Sequence, residues 1–343
     1  MKIDLFLLSP IILLISFGLF ILNSISPSLF PDYYWYVVIG LIIFFLLNMI
    51  DFEVVSVFAK YLYIFSIILL LITLVIGQVT RGTVRWIPIG PFTVQPSEIV
   101  RPFLLVFFAS QIAGQKLTFK RLLQILILMA LPLILILIQP SLGVAGLTAI
   151  GFLGLFLASE IDKKYILYLF LIGLVVLPIT YFLLAPYQKD RINAFLNPQL
   201  DPLGVGYNAI QSMISVGSGE FFGRGLGRGV GTQLAFLPER STDFIFASIA
   251  EELGFVGGAV LLSLTFILLW RMLSYSKRII NIPARLFIGG FFLTIFAQIF
   301  IHVGMNMGLM PITGVPYPLV SAGGSSLLAT LISFGIVAGT VKR

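Results

Sequence analysis

Few side chains of this 343-residue protein can take part in acid–base chemistry, since 10% of its residues are charged, one is histidine and none is cysteine. The segment "STDFIFASIAEE" (241–252) places Asp243, Glu251 and Glu252 at the edge of, or inside, an apolar run. A carboxylate in such a position can act as a general base or cap a helix N-terminus. Both interpretations of Asp243 stand on the residues alone. An Asn substitution separates them, because Asn caps helices about as well as Asp but cannot act as a base.

The spacing of the three carboxylates predicts different surroundings for each. On one helix, Glu251 lies about 12 Å beyond Asp243 and about 80° around the axis, whereas Glu252 lies about 180° around it. We therefore expect Glu251 to line and tune the same cavity as Asp243. Glu252 is expected to contact a neighbouring helix or backbone.

A further acidic side chain, Glu98, precedes Arg101 by three residues, so the two can pair on one helix face. Pro96, Ser97 and Glu98 together are typical of a helix beginning with an acid in its first turn. An ionisable residue inside a membrane span is costly and is a functional candidate by default. A local neutralising pair is the alternative explanation of Glu98 and Arg101.

The composition explains why these charges are costly. The chain is 59% hydrophobic, its mean hydropathy is +1.09, and its apolar runs reach the roughly twenty residues that cross a bilayer. Such runs are too long and continuous for barrel strands, so we predict an all-α polytopic membrane protein with a single domain, 1–343. The missing cysteines exclude disulfides and thiolate metal sites. The net charge of +7 reflects membrane topology, and no nucleic-acid partner is expected.

Ten transmembrane helices are expected. The predicted spans lie near 3–24, 33–50, 54–77, 96–114, 121–139, 142–159, 164–185, 244–272, 284–308 and 317–340. With a cytoplasmic N-terminus, most Lys and Arg residues fall in cytoplasmic segments, which predicts an N-in, C-in topology. The outer face then carries the short loops 78–95 and 309–316 and one large extracytoplasmic loop, about 186–243, between helices 7 and 8.

The large outer loop is expected to fold, because apolar residues are scattered among its glycines. "GYNAIQSMISVGSG" (206–219) predicts a short amphipathic helix on the membrane surface, with Ile210, Met213 and Ile214 on one face. "GRGLGRGVG" (223–231) lacks the GK[ST] and the preceding strand of a nucleotide-binding loop. Its arginines are expected to form a mobile cationic surface that can hold phosphate, and simple chain reversal is the alternative.

Four long segments resemble successive motifs of the SEDS family, the RodA and FtsW peptidoglycan polymerases. They are "GTVRWIPIGPFTVQPSEIV" (82–100), "DPLGVGYNAIQSMISVGSGEFFGRGLGRG" (201–229), "TQLAFLPERSTDFIFASIAEELGFVG" (232–257) and "GLMPITGVPYPLVSAGGSS" (308–326). They stand in family order and span most of the chain. "TQLAFLPER" and "GVPYPLVS" are more similar to RodA than to FtsW.

The resemblance implies a peptidoglycan glycosyltransferase that polymerises lipid II into β-1,4 glycan strands, with release of undecaprenyl pyrophosphate. It implies that Asp243, the acid of the "TDFIF" motif, is essential. It also implies a divalent cation, Mg²⁺ or Mn²⁺, although no ligand cluster identifies a metal site; no organic cofactor is expected. The implied partners are lipid II, the growing lipid-linked glycan, membrane lipids and a class B penicillin-binding protein in the bacterial cytoplasmic membrane.

Two positions depart from the family pattern. Arg101 stands where the family commonly has lysine, and Ser141 of "QPSLGV" stands where it has an acid. Arginine keeps the charge but is not deprotonated. A proton-relay or metal-binding role at either position is therefore not expected here.

The chemistry assigns roles to the remaining candidates. Asp243 is predicted to be the general base, with Ser97, Glu98 and Glu251 in support. The leaving pyrophosphate needs cations, and the arginines on the expected outer face are Arg85, Arg101, Arg191, Arg224 and Arg240.

Three alternatives stay open. One is a lipid II flippase, because many helices with intramembrane charge also describe transporters, although the sequence shows no internal repeat, broken-helix pair or acid relay. The others are a scaffold without activity and an FtsW-like division polymerase.

Overall fold

The structure is a computed structural model that describes residues 4–80, 83–90, 92–114, 118–234 and 236–340. It consists mainly of helices, with two short 3₁₀ turns at Pro27–Leu29 and Pro198–Leu200. The α-helices are α1 (Leu5–Ile25), α2 (Asp32–Asn48), α3 (Phe52–Val57), α4 (Ala59–Ile76), α5 (Pro96–Ala113), α6 (Phe119–Ile138), α7 (Leu142–Ala158), α8 (Lys163–Leu183), α9 (Pro186–Leu196), α10 (Tyr207–Ser218), α11 (Val230–Gln233), α12 (Ile245–Ser276), α13 (Ile282–Asn306) and α14 (Gly324–Gly339).

Several of these helices have the length and apolar character of membrane spans. Within the described residues, five are long and apolar enough to cross a bilayer, namely α1, α4, α6, α12 and α13. Among the same described residues, the shorter apolar helical stretches are α2, α7, α14 and Lys164–Val175 of α8. The chain is therefore a helical, multi-pass membrane protein, as the composition predicted.

Two predicted boundaries differ from the structure. The span predicted at 54–77 is divided at Phe58 into the short α3 and the longer α4. The last helix begins at Gly324 instead of 317, because Leu319 has a φ of 65°, which a right-handed helix does not allow.

The predicted outer loop 78–95 contains a small antiparallel sheet that the sequence analysis did not predict. Its strands β1 (Gln78–Thr80), β2 (Thr83–Ile89) and β3 (Phe92–Val94) pair in the order β1-β2-β3. Gly90, with a φ of 61°, lies between β2 and β3. The Tyr36 hydroxyl of α2 holds β3, since it donates to the Thr93 carbonyl (3.0 Å) and accepts from the Thr93 N–H (2.9 Å).

The chain forms two compact units, each made of separate segments. Unit 1 comprises Met1–Ser159, Ser263–Gln298 and Pro318–Arg343, and unit 2 comprises Glu160–Leu262 and Ile299–Tyr317. In unit 2, a small core forms around the beginning of α12 from Leu237, Phe244 and Ala247, against which Val216 and Ile312 pack. The single domain predicted from the sequence stays a prediction.

The amphipathic helix predicted in the outer loop is α10. Its small residues Ala209, Ser212 and Ser215 are buried, whereas Met213 is 36% and Ile214 is 55% exposed. The helix is therefore held to the protein by its small face, and Met213 lies against Gly308, just after α13. The exposed Ile214 suits the predicted contact with a membrane surface.

Glycines allow α7 and α13 to approach closely in unit 1. A Cβ added at Gly154 would lie 2.8 Å from the Gly289 carbonyl oxygen and 2.9 Å from the Gly290 Cα, whereas one added at Gly146 would meet nothing within 4 Å. Small residues at such contacts are typical of helix packing in membranes.

We expect Gly154→Ala to destabilise the protein by about 1–3 kcal/mol, because the added methyl overpacks a contact made by rigid backbone. Gly146→Ala is the matched control on the same helix. It should leave stability unchanged or raise it slightly, since Ala favours helix by about 1 kcal/mol over Gly. Thermal unfolding of the purified proteins in detergent measures both, and equal midpoints would contradict the close approach.

Candidate active site

Asp243 lies just before the beginning of α12, in unit 2. The Phe244 carbonyl accepts the hydrogen bond of the Ser248 N–H (3.0 Å), so Phe244 occupies the N-cap position and Asp243 precedes it. The Asp243 side chain is half-buried. Its position therefore favours a role other than the helix cap.

Gly314 lies beside both the Asp243 carboxylate and the Arg191 guanidinium. A Cβ added at Gly314, whose φ is 69°, would be 3.5 Å from Asp243 Oδ2 and 3.9 Å from Arg191 Nη1. Arg191 Nη1 also donates to the Ile312 carbonyl at 3.4 Å. Among the predicted cations, Arg191 thus borders the same point as the predicted base. The Asp243 carboxylate can accept a proton, and the Arg191 guanidinium can bind an anion. Two such groups near one point suit a substrate that carries both a hydroxyl and a phosphate.

The helix α12 is broken at Gly254, where φ is 66° and ψ is −160°. Residues 219–225, here called the inserted segment, replace the helical hydrogen bonds lost at the break. The Glu251 and Glu252 carbonyls accept from the N–H groups of Arg224 (2.9 Å) and Gly225 (3.0 Å). The four backbone bonds are completed by the N–H groups of Phe255 and Val256, which donate to Glu220 O (2.9 Å) and Phe221 O (3.2 Å).

The glycines of this region are explained by the insertion. A Cβ at Gly223, where φ is 81°, would lie 2.2 Å from the Glu252 carbonyl oxygen, and one at Gly219 would lie 1.7 Å from the Ala250 carbonyl oxygen. Only glycine permits such a close approach of two backbones. The beginning of the Gly-rich stretch is therefore anchored to α12, where the sequence predicted a mobile surface.

Glu251 has a different environment from the predicted one. Its side chain is buried, with the residue 2% exposed, and its two oxygens accept from the backbone N–H groups of Gly231 (2.8 Å) and Thr232 (3.0 Å). Glu251 thus holds the beginning of α11 against α12, where the sequence predicted that it lines a cavity. Glu252 Oε1 accepts from Gln233 Nε2 at 2.8 Å, which confirms its predicted contact with a neighbouring helix.

The predicted pair of Glu98 and Arg101 is confirmed. The two residues are buried in α5 of unit 1 and form an ion pair and hydrogen bond through Arg101 Nη2 and Glu98 Oε2. Ser97 Oγ accepts from Gln95 Nε2 at 3.2 Å, and the same amide donates to Ser141 Oγ at 3.1 Å. At position 141, where the family pattern has an acid, the neutral hydroxyl of Ser141 therefore accepts a hydrogen bond from the buried amide of Gln95.

The predicted site residues divide between the two units. Arg85, Ser97, Glu98 and Arg101 belong to unit 1, and Arg191, Arg224, Arg240, Asp243 and Glu251 belong to unit 2. Arg224 is exposed, and its Nε donates to the Ser218 carbonyl at 3.3 Å. Arg240 is half-buried, and its carbonyl accepts from Ser248 Oγ at 3.1 Å.

Asn306 was not predicted, although it contacts the candidate base directly. Its Nδ2 donates to the Asp243 carbonyl at 3.0 Å. The signal in the sequence was a lone amide at the end of the apolar span 284–308, where a buried polar group needs partners.

The fit of a divalent cation can be tested on the donor groups. Across the part of the chain that the structure describes, no group of three or more His, Cys, Asp and Glu residues could hold a metal ion. The described side chains therefore do not fit a resident metal, and the chemistry proposed below uses none.

Comparison with known proteins identifies the family. The family model of the FtsW, RodA and SpoVE cell cycle proteins matches residues 4–342. The chain belongs to this family. The peptidoglycan glycosyltransferase MrdB of Escherichia coli K12 is 38% identical over 305 residues, which cover 88% of this chain and 82% of MrdB. The stage V sporulation protein E of Bacillus subtilis is 33% identical over 354 residues, which cover 97% of this chain and 95% of that protein.

Solved structures of the family have the same fold. A structure described as the structural coordination of polymerization and crosslinking by a peptidoglycan synthase complex matches with a TM-score of 0.84 and 29% identity, covering 98% of this chain and 97% of that one. The crystal structure of the Thermus thermophilus rod shape determining protein RodA matches with a TM-score of 0.76 and 26% identity, covering 100% and 99%. These matches confirm the family predicted from the four motifs.

In this FtsW/RodA/SpoVE family member, we expect Gly223→Ala to loosen the inserted segment. Both Gly223 (φ 81°) and the control position Gly227 (φ 70°) have the left-handed backbone, but only at Gly223 would a methyl meet backbone atoms. Either substitution costs about 1–2 kcal/mol for the backbone conformation. Gly223→Ala should cost about 1–3 kcal/mol more for the clash.

Limited trypsin digestion gives a local readout, since Arg224 directly follows Gly223 and Arg228 directly follows Gly227. Cleavage there should be faster in Gly223→Ala than in Gly227→Ala. Equal cleavage rates and equal thermal midpoints would show that the contact of the inserted segment with α12 does not depend on Gly223.

Proposed function

We propose that this protein polymerises lipid II into β-1,4 glycan strands, releasing undecaprenyl pyrophosphate, and that Asp243 is its general base. The proposal is carried by one arrangement, in which the carboxylate of Asp243 and the guanidinium of Arg191 both border Gly314, 3.5 Å and 3.9 Å from a Cβ added there. The glycosyltransferase activity named for MrdB of Escherichia coli, with 38% identity, supports the reaction class.

The base acts on the acceptor sugar. As its 4-hydroxyl attacks the anomeric carbon of the lipid-linked donor, Asp243 accepts the hydroxyl proton, the new C–O bond forms, and the bond to the pyrophosphate breaks with its electron pair. A single displacement of this kind inverts an α-linked donor to a β-linked product. The leaving pyrophosphate is weakly basic, so help from a base matters more than help from an acid.

The departing charge needs a cation. Arg191 is the first candidate, because it borders the same glycine as Asp243 and a guanidinium can bind phosphate oxygens in a bidentate manner. Arg224 and Arg240 of the outer loop, and Arg85 and Arg101 of unit 1, are further candidates from the sequence. In the same proposal, Glu251 supports the site by holding the backbone at the beginning of α11. Ser97 and Glu98 are supporting candidates from the sequence.

A requirement for Mg²⁺ or Mn²⁺ stays a prediction. Divalent cations often bind through substrate phosphates with few protein ligands, so the polymerisation assay should be run with and without EDTA.

The proposal includes ten transmembrane helices in an N-in, C-in topology, with the loop 186–243 and Asp243 on the outer face of the cytoplasmic membrane. Two contacts in unit 1 support the predicted assignment of helix ends to the two faces of the membrane. Asp4 before α1 pairs with Arg271 of α12, both predicted to be cytoplasmic. Tyr33 of α2 donates to the Ser321 carbonyl at 2.8 Å, both predicted to be at the outer face.

We further propose that the protein acts in cell elongation and works with a class B penicillin-binding protein. The solved peptidoglycan synthase complex that it resembles couples polymerization to crosslinking, which supports a crosslinking partner. Exposed apolar side chains on α12, among them Phe266 and Trp270, offer a candidate contact surface. An FtsW-like role in division is the alternative.

We expect Asp243→Asn to lower glycan formation from lipid II by about 10²–10⁴-fold, the usual contribution of a general base. The amide keeps the shape and the hydrogen-bonding capacity of a cap but cannot accept the proton, so the thermal midpoint should change little. Purified protein, lipid II in detergent and gel analysis of the glycan strands measure the effect.

Asp190→Asn, an exposed acid in α9 of the same loop, is the control and should polymerise at the wild-type rate. Near wild-type activity of Asp243→Asn would reject the base. The same assay tests the rivals, because a flippase or a scaffold forms no glycan. The break in α12 at Gly254, which the sequence did not show, gives the flippase little support, since the inserted segment replaces the hydrogen bonds lost there.

We expect Arg191→Gln to lower kcat/KM for lipid II by about 10–100-fold, the value of one hydrogen bond to a charged group. Lys189→Gln, which removes another cation from α9, is the control and should change kcat/KM less than threefold. Initial rates over a range of lipid II concentrations measure both. An equal loss in the two variants would indicate general electrostatic attraction and not a pyrophosphate contact.

A further inference from the structure

Asn306, the last residue of α13, makes three hydrogen bonds with its side chain although it is fully buried. Its Oδ1 accepts from the Ala247 N–H at 3.0 Å. Its Nδ2 donates to the Asp243 carbonyl at 3.0 Å and to the His302 carbonyl at 2.7 Å. Two of the three bonds reach the beginning of α12, on either side of its N-cap residue.

The beginning of α12 needs this amide for a physical reason. The first N–H groups of a helix have no partner within the helix, and a polar N-cap side chain usually accepts from the N2 or N3 group. Here the N-cap residue is Phe244, whose side chain cannot accept and is buried in the core with Leu237 and Ala247. Asn306 supplies the missing acceptor to Ala247, the N3 residue, from another helix.

The same amide fixes the backbone of the base. The Asn306 Nδ2 group donates to the backbone carbonyl of Asp243, and Oδ1 accepts from the Ala247 N–H. The backbone is therefore restrained on both sides of the N-cap residue Phe244. Only the side-chain torsions of Asp243 are then left to direct its oxygens towards Gly314 and Arg191.

Asn306 is in turn held by its neighbours. The Ser212 hydroxyl of α10 donates to the Asn306 backbone carbonyl at 2.9 Å, and the His302 ring, one turn earlier, is bonded through Nδ1 to the Val315 carbonyl at 2.8 Å. Through its side chain and its backbone carbonyl together, Asn306 therefore connects three parts of unit 2: the beginning of α12, the end of α13 and the helix α10.

We propose that Asn306 is a positioning residue for polymerisation, which acts by holding Asp243 at the start of α12. This inference rests on the proposed function. A misplacement of about 1 Å at a reacting group can cost about 10²-fold in rate, so removal of the amide should lower kcat strongly. KM for lipid II should change little, because Asn306 is fully buried and its side chain is already bonded to three protein groups.

The test uses the full-length protein in detergent with lipid II and compares wild type, Asn306→Ala, Asp243→Asn and the double variant. We expect Asn306→Ala to lower kcat by about 10–100-fold with KM within twofold. In the Asp243→Asn background the second substitution should cause no further loss, since residues that act as a unit are not additive.

A purely structural role would give another result. Asn306→Ala would then lower the thermal midpoint, and it would lower the rate by the same factor in the wild-type and Asp243→Asn proteins. Additive losses, or wild-type kcat in a folded Asn306→Ala protein, would overturn the inference. Asn48→Ala, which removes another buried amide, is the control for general destabilisation and should leave kcat unchanged.

Two further results keep the outcomes distinct. If Asn306→Ala does not accumulate, Asn306→Ser, which keeps a small polar side chain, replaces it in the single and double variants. It should give the same non-additive loss. If the wild-type protein forms no glycan, or Asp243→Asn is as active as wild type, the proposed function fails. A polymerising wild type with an inactive Asp243→Asn and an additive Asn306→Ala contradicts only the positioning role.

Discussion

Backbone polar groups that cannot reach water must be hydrogen-bonded inside the protein, and this constraint determines how unit 2 is built. An unbroken helix satisfies it alone, but α12 is broken at Gly254. The inserted segment supplies two donors and two acceptors in place of the lost helical bonds. Residues 219–225 are thus a structural component of α12, and the candidate base lies just before the beginning of this helix.

The same constraint governs the polar side chains. Glu251 uses both carboxylate oxygens to satisfy the N–H groups that begin α11, and Asn306 does the same for α12. Each buried group is expensive without partners, but each is satisfied by backbone that would otherwise be unpaired. In unit 2, Glu251 and Asn306 therefore serve to join helices to the segments around them. Asp243 differs, because it is half-buried and its carboxylate lies beside Gly314, which Arg191 also borders.

A base at this point suits a reaction between two lipid-linked sugars. The substrates' polyprenyl tails require a membrane protein, whereas their sugars and phosphates require polar groups at the edge of the bilayer. In the proposed topology, the beginning of α12 and the folded segment before it provide that edge. Arg191 lies in α9, and Asp243 lies just before α12.

The sequence by itself determined the helical membrane architecture, the family, the amphipathic α10 and the pairing of Glu98 with Arg101, because apolar run length and i, i+3 spacing are local properties of the chain. It did not show the sheet in 78–94, the break at Gly254, the partner of Glu251 or the role of Asn306. The break, the partner of Glu251 and the role of Asn306 depend on hydrogen bonds between residues far apart in sequence, such as Asn306 and Asp243, separated by 63 positions. The sheet pairs strands that are neighbours in sequence, but the pattern of apolar runs predicts only a loop there. Only the tertiary structure decides which distant groups satisfy one another, since many pairings are compatible with the same local pattern.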